Sequence, residues 1–373
     1  MSSLFEDIVG QDLAVSILTR ALAQGASHAY LFSGPPGVGK SDTALAFAAG
    51  LACPDAGCGD CTTCRRALEG LHPDVEMVVP EGSSILIDQI RDINSHVAYR
   101  PFEARAKVYI LFEAETMNPQ AANAFLRTLE EPPQHVHFVL VTDAPDRMLP
   151  TIVSRCQHVP FTRTPMPLIA EHLEGRYHLT RDDARLYSRA SQGSLAYARE
   201  LATSEEARER RQGLIVSASK LPESDLLSTE RMLDQTLSAV EKKADESVGG
   251  LDARRDQALD WAGDARTRSW VNKMHDQRVK RERRRAVGLG LEEVTGTFAG
   301  WYRDMAATSV GAEDAVLNHD YLPQLRLETV PGRMPAYLEA VLAVRKTQER
   351  LRYNVDTRCA IGDMFRAIKE ALI

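Results

Sequence analysis

Residues 34–41 read Gly34-Pro35-Pro36-Gly37-Val38-Gly39-Lys40-Ser41, and this stretch decides the fold of the first part of the chain. It matches the pattern G-x-x-x-x-G-K-[ST], in which glycines let backbone N–H groups curl around a phosphate. An apolar run, Ala29–Ser33, precedes it, and a helical pattern over 42–52 follows. A glycine-rich turn is the alternative interpretation, but a full match between a strand and a helix favours a phosphate-binding loop.

The chemistry of this loop predicts nucleotide binding. Backbone N–H groups of the loop and the helix N-terminus would surround the β-phosphate. Lys40 would reach the outer phosphates, and Ser41 would ligate Mg²⁺. We therefore expect ATP or ADP as a cofactor, with Mg²⁺ if the nucleotide is ATP.

A second strand end bears on hydrolysis. P-loop enzymes need a carboxylate there to hold the metal and orient water. The run 108–112 leads into Phe112-Glu113-Ala114-Glu115, where the usual order is Asp-Glu. A phenyl ring cannot hold a metal-bound water, so we expect nucleotide binding with poor turnover. A shift of register would let Glu113 or Glu115 substitute for the missing acid.

The overall pattern predicts three domains. Up to about residue 161, short apolar runs at Ala29–Ser33, 75–79, 108–112 and Val136–Thr142 alternate with helical stretches, which indicates a parallel sheet with crossover helices. Beyond it, 168–201 indicates a short helical bundle, and helical periodicity alone continues from about 204. We predict an α/β P-loop domain at 1–163, a small helical lid at 164–205 and an all-α C-terminal domain at 206–373.

Four of the six cysteines form a second motif. Cys53, Cys58, Cys61 and Cys64 give C-x4-C-x2-C-x2-C, a spacing that can close a tetrahedral shell of thiolates around Zn²⁺. An iron–sulfur cluster is the alternative for the same ligands. Because protein ligands would fill all four positions, we expect a structural zinc module at 53–64.

Bulk composition narrows the function classes. The 373 residues are 44% apolar and carry a formal net charge of −7, which argues against holding nucleic acid by bulk positive charge. No apolar run approaches the roughly 20 residues of a membrane helix, and residues 1–20 do not resemble a signal peptide. We expect a cytoplasmic protein that does not contact a membrane.

The motifs together resemble the bacterial clamp-loader subunits of DNA polymerase III, an AAA+ family, and its delta-prime type above all. The resemblance is dense over residues 5–160 and rests on GPPGVGKS, the four cysteines, IDQIRDI (87–93), ANAFLRTLEEPP (122–133) and LPTIVSRCQ (149–157). Later it rests only on FAGWYRDM (298–305) and on 354–360, which are similar to collar helices of the family.

This resemblance implies a heteropentamer with motor and clamp-opening subunits. Such an assembly places a sliding clamp on primed DNA using ATP bound between subunits. In the motif Ser154-Arg155-Cys156, Arg155 would be a trans-acting arginine finger that reaches a neighbour's γ-phosphate. The alternative for Arg155 is a surface arginine that pairs locally. Thr142 falls where the family has a phosphate sensor, although a threonine is also an ordinary residue at a strand end.

Two departures favour a stator over a motor. Phe112 replaces the metal-holding acid, and Ala196 stands after Gly193-Ser194-Leu195, where hydrolysing relatives carry an arginine. The alternative function is an ATP-hydrolysing motor subunit of gamma/tau type or another AAA+ ATPase. A zinc-dependent nucleic-acid-binding module is a further alternative, but residues 53–64 carry only Asp55 and Asp60 as charges.

The most basic run spans residues 278–285 and contains six Arg or Lys residues. It could contact DNA phosphate or an acidic partner, but we favour a solvated helix face, the commoner role of such a run.

Overall fold

The structure is a computed structural model that describes residues 3–55, 57–82, 84–260, 264–351 and 355–372. Asn354, the first residue of the 354–360 stretch, lies outside them. The chain forms two compact units: one contains the residues up to 162 together with 247–284, and the other contains 163–246 with 285 onward. Residues 247–284, which the sequence pattern assigns to the C-terminal helical region, thus belong to the first unit. The three-domain division stays a prediction.

A parallel sheet of order β2-β3-β4-β1-β5 forms the centre of the first unit. Its strands are β1 (Ala29–Ser33), β2 (Val75–Val78), β3 (Lys107–Leu111), β4 (Val136–Thr142) and β5 (Gln157–Pro160). All neighbouring pairs run parallel, so the carboxyl ends of the strands meet at one edge. The predicted parallel sheet is confirmed, and β5 is an additional edge strand.

Helices account for most of the remaining chain. In order they are α1 (Asp12–Gln24), α2 (Lys40–Ala52), α3 (Thr62–Leu68), α4 (Ile87–His96), α5 (Pro119–Glu130), α6 (Pro150–Val153), α7 (Met166–Tyr177), α8 (Arg181–Ala190), α9 (Leu195–Thr203), α10 (Glu205–Lys220), α11 (Leu226–Val248), α12 (Leu251–Asp260), α13 (Ala265–Ser309), α14 (Leu322–Glu328), α15 (Met334–Leu351) and α16 (Thr357–Leu372).

The sheet is covered on both faces because its strands are apolar at successive positions. In β1, Tyr30 and Phe32 pack in one cluster with α1 and α2, while Leu31 packs on the other face with α4 and α5. This arrangement explains why the strands lack alternation of apolar and polar residues. At the start of α5, the Asn118 side chain caps the helix by accepting a hydrogen bond from the backbone N–H of Ala121 (2.8 Å).

The described residues of the second unit form helices and the turns between them. Its core is centred on the buried aromatic residues Phe298, Trp301, Tyr302 and Phe365. Gly193 has φ +88°, and Ser194 then caps α9 by accepting from the N–H of Tyr197, so this Gly-Ser pair separates α8 from α9. Among the described residues, no helix is long and apolar enough to cross a membrane.

Candidate nucleotide and metal sites

The phosphate-binding loop joins β1 to α2 and depends on glycine backbone geometry. Gly34 has φ +151°, and a Cβ there would lie 2.2 Å from the carbonyl oxygen of Phe161. Gly39 has φ +93° and directly precedes the first turn of α2. Because side chains are excluded at the first position and disfavoured at the second, this sequence can form the loop where most others cannot.

Lys40 is the buried cation of this loop. Its ammonium pairs with Asp143 at 2.6 Å and donates to the carbonyl oxygens of Gly34 (2.7 Å) and Pro35 (2.5 Å). Only 5% of the side chain is exposed. A buried ammonium must be compensated, and here one carboxylate and the loop's own carbonyl groups provide that compensation.

The other predicted nucleotide contacts meet at the same sheet edge. Ser41 follows Lys40 in the first turn of α2. Thr142 ends β4 directly opposite Ser33, the last residue of β1, and its hydroxyl accepts from the N–H of Ala144 at 3.0 Å. The structure therefore brings Lys40, Asp143 and Thr142 to one place, although no sequence motif marks Asp143.

Glu113 and Glu115, the two possible substitutes for the missing acid at position 112, have different environments after β3. Phe112 is buried, and Glu113 adopts a left-handed conformation with φ +50° and ψ +47°. Burial raises the pKa of Glu115 to about 7; a hydrogen bond with Thr142 opposes this rise, and the charge of Asp143 adds to it. Glu115 is therefore the carboxyl group beside Thr142.

Residues of the basic run also reach this edge. Arg281 is buried with its guanidinium group 5.3 Å from the centre of the Phe112 ring, and Arg284 pairs with Glu113 at 2.6 Å. The expectation of a solvated helix face is thus wrong for these two arginines. The sequence does contain a signal for this shared contact, because a spacing of three residues puts Arg281 and Arg284 on one helix face.

Arg155 lies between α6 and β5. Its guanidinium group donates to Glu130 (2.5 Å) and to the carbonyl oxygen of Thr151 (2.9 Å), and 34% of the side chain is exposed. An ion pair this exposed contributes about 0–1 kcal/mol, so it could be exchanged for a stronger anion.

The four clustered cysteines converge on one point after α2. All four sulfur atoms lie within 4.8 Å of one another, with Sγ–Sγ distances of 3.8 Å from Cys53 to both Cys58 and Cys61 and 4.0 Å from Cys58 to Cys64. Metal–sulfur bonds of about 2.3 Å in a tetrahedron place neighbouring sulfurs roughly 3.8 Å apart. The geometry therefore fits a metal ion held by four thiolates.

The thiols also differ in acidity. Burial acts to raise the pKa of Cys53, but nearby backbone N–H groups, first that of Cys58, outweigh it and lower the pKa to about 7. Burial and the adjacent Cys53 and Cys61 raise the pKa of Cys64. Four thiolates at this separation need a cation between them, and metal binding would displace the remaining protons.

A P-loop at the carboxyl edge of a five-stranded parallel sheet, followed by helical regions, defines an AAA+ protein. The family model described as DNA polymerase III, delta subunit, matches residues 10–165. DNA polymerase III subunit delta' of Bacillus subtilis is 30% identical over 352 residues, which cover 92% of this chain and 91% of that protein. This chain therefore belongs to the delta-prime subunits of DNA polymerase III.

Tau subunits match a shorter region. DNA polymerase III subunit tau of B. subtilis is 39% identical over 196 residues, and that of Escherichia coli is 36% identical over 201. Each alignment covers 51% of this chain. The aligned region spans about a third of each tau subunit, 34% of the B. subtilis protein and 31% of the E. coli protein. The predicted delta-prime type is confirmed, whereas these tau subunits match only part of the chain.

Proposed function

We propose that this subunit is a stator of the clamp loader, which binds nucleotide but turns it over poorly. It would act in the cytoplasm within a heteropentamer of motor and clamp-opening subunits that loads the sliding clamp onto primed DNA. The observation that carries the proposal is Phe112, a buried apolar side chain at the end of β3, at the same edge of the sheet as a complete phosphate-binding loop. The loop supports ATP or ADP binding, whereas the phenyl ring removes a ligand for the Mg²⁺ that accompanies ATP.

Arg155 has a separate role in this proposal as the arginine finger. A guanidinium group supplies fixed positive charge to a phosphoryl group in transfer, and its weak local pair with Glu130 leaves it available to a neighbouring subunit. The four cysteines would hold one structural Zn²⁺. Their closed geometry supports that role because all the tetrahedral positions belong to the protein.

The experiment compares ATP turnover of the isolated chain with that of the reconstituted complex, each with and without Arg155→Ala. We expect an inert isolated chain and a loss of at least about tenfold in complex turnover, since removing such an arginine has effects of 10³ or more in related chemistry. Arg127→Ala is the matched control, because Arg127 is an exposed arginine on α5, the helix that carries Glu130.

Two results would contradict the proposal in different ways. Turnover by the isolated chain that disappears with Lys40→Ala would make the subunit a motor. Unchanged complex turnover with Arg155→Ala, at normal assembly by size-exclusion chromatography, would remove the finger but leave the stator.

A further inference from the structure

Three arginines on one face of α13 contact the first unit, and two of them reach the carboxyl edge of its sheet. Arg278, Arg281 and Arg284 follow one another at intervals of three residues. Arg278 donates to the carbonyl oxygen of Glu69, just beyond α3. The other two reach the ends of β2 and β3, where a P-loop protein carries its metal-holding and water-orienting acids.

Arg281 covers the position of the missing acid. Its guanidinium group lies 5.3 Å from the centre of the Phe112 ring and donates to the sulfur of Met77 at 2.8 Å. A cation over an aromatic face is attracted to the negative face of the ring, and more strongly when both groups are desolvated. Phe112 is therefore a packing partner for this arginine as well as a lost metal ligand.

Arg284 pairs with Glu113, the acidic residue that directly follows Phe112. Its Nε donates to Oε1 of Glu113 (2.8 Å) and its Nη2 to Oε2 (2.6 Å), while Nη1 donates to the carbonyl oxygen of Gly82. This is a bidentate pair, which is the strongest geometry between these two groups. Both carboxylate oxygens accept from Arg284, so the pair fixes the direction in which Glu113 points and must break before this side chain can turn toward a bound nucleotide.

The backbone of Glu113 fits this arrangement. A left-handed conformation is unfavourable for a non-glycine residue because its Cβ crowds the following carbonyl oxygen. The carbonyl oxygen of Glu113 accepts from the N–H of Thr116 at 2.8 Å and from its hydroxyl at 2.7 Å. The turn and the arginine together stabilise this conformation of the side chain.

We propose that Arg284 is a positioning residue that keeps Glu113 out of nucleotide chemistry, so that residues 265–284 of α13 are a built-in brake on turnover. This rests on the proposed nucleotide binding. The brake acts in addition to the loss of the acid at position 112, and it predicts that restoring that acid alone is insufficient.

The test measures single-turnover hydrolysis of MgATP by the full chain carrying Phe112→Asp, alone and combined with Arg284→Gln. Binding of a fluorescent ATP analogue is measured on the same samples. We expect a gain of at least tenfold from adding Arg284→Gln, and we expect further addition of Glu113→Gln to remove it. A purely structural role for Arg284 would give no gain that depends on Glu113.

Two further variants are controls. Lys280→Gln removes a positive charge from an exposed position in the same basic run and should not raise turnover. Arg284→Lys keeps the charge but cannot form the bidentate pair. In the Phe112→Asp chain, its turnover should therefore lie between that with Arg284 and that with Arg284→Gln. Circular dichroism establishes that each variant is folded before turnover is compared.

The outcomes separate the brake from the function on which it rests. If the analogue binds and Phe112→Asp is as active alone as with Arg284→Gln, the brake is overturned and nucleotide binding stands. If both are inactive although the analogue binds, the brake is likewise overturned. If the analogue binds to no variant, the proposed nucleotide binding fails, and the brake fails with it.

Discussion

The two ends of α2 carry two sites of opposite character. At its N-terminus, Lys40 makes three contacts with groups of its own loop and with Asp143, all of which polyphosphate oxygens could replace. Beyond its C-terminus, four sulfur atoms surround a single point with the spacing of a closed metal shell. The difference teaches that one buried helix can support both an exchangeable site and a permanent one.

Metal removal should give the largest effect, because the closed site joins α2 to α3. Replacing Cys61 with serine should remove one zinc per chain and lower the free energy of unfolding by about 4 kcal/mol or more, given the large free energy of structural zinc binding. Metal analysis and urea unfolding measure both quantities. Cys359→Ser, an exposed cysteine outside the cluster, is the control. A serine variant that retains its metal and its unfolding midpoint would show that the cluster is not the metal site.

Lys40→Ala should separate the two ends of the helix. We expect affinity for MgATP to fall by roughly 100-fold, about 2.7 kcal/mol, while metal content stays at one per chain. Isothermal titration calorimetry and metal analysis give the two numbers. Loss of metal together with nucleotide would mean that the two sites are not independent, and the contrast between them would have to be abandoned.

A smaller effect should come from Glu115 beside the exchangeable site. Its pKa is about 7 in the folded chain, above its ordinary value, so the protonated form favours folding and this contribution is lost as pH rises through 7. Between pH 5 and pH 7 the free energy of unfolding should fall by about 2 kcal/mol from this group. Unfolding at several pH values should show a flatter profile for Glu115→Gln. An unchanged slope would indicate that Glu115 titrates normally.

The sequence predicts the parts of this fold that have strong local signals. The phosphate loop, β1, β4, the capped α5 and the cysteine cluster are all recognisable because each depends on residues within a few positions of one another. The strand β5 was missed because half of its residues are exposed and Pro160 ends it, so that its pairing with β1 decides its structure.

Contacts that depend on tertiary packing could not be predicted from the sequence. Helical periodicity in 265–284 predicts a helix but not the surface against which it packs. For the same reason, Arg281 and Arg284 could not be assigned to Phe112 and Glu113. The sequence could not distinguish the positions of Glu113 and Glu115, because these depend on the left-handed turn after β3. No glycine in the sequence marks that turn.

The pair between Lys40 and Asp143 has a consequence for how a ligand enters. A nucleotide arriving at this loop would not meet a bare charge, because it would have to displace the Asp143 carboxylate from Lys40, as one anion displaces another on an ion-exchange resin. Part of the attraction of the phosphates is spent on releasing Asp143, so an anion with a single charge gains little by entering. We therefore expect the loop to favour ligands that carry several negative charges close together.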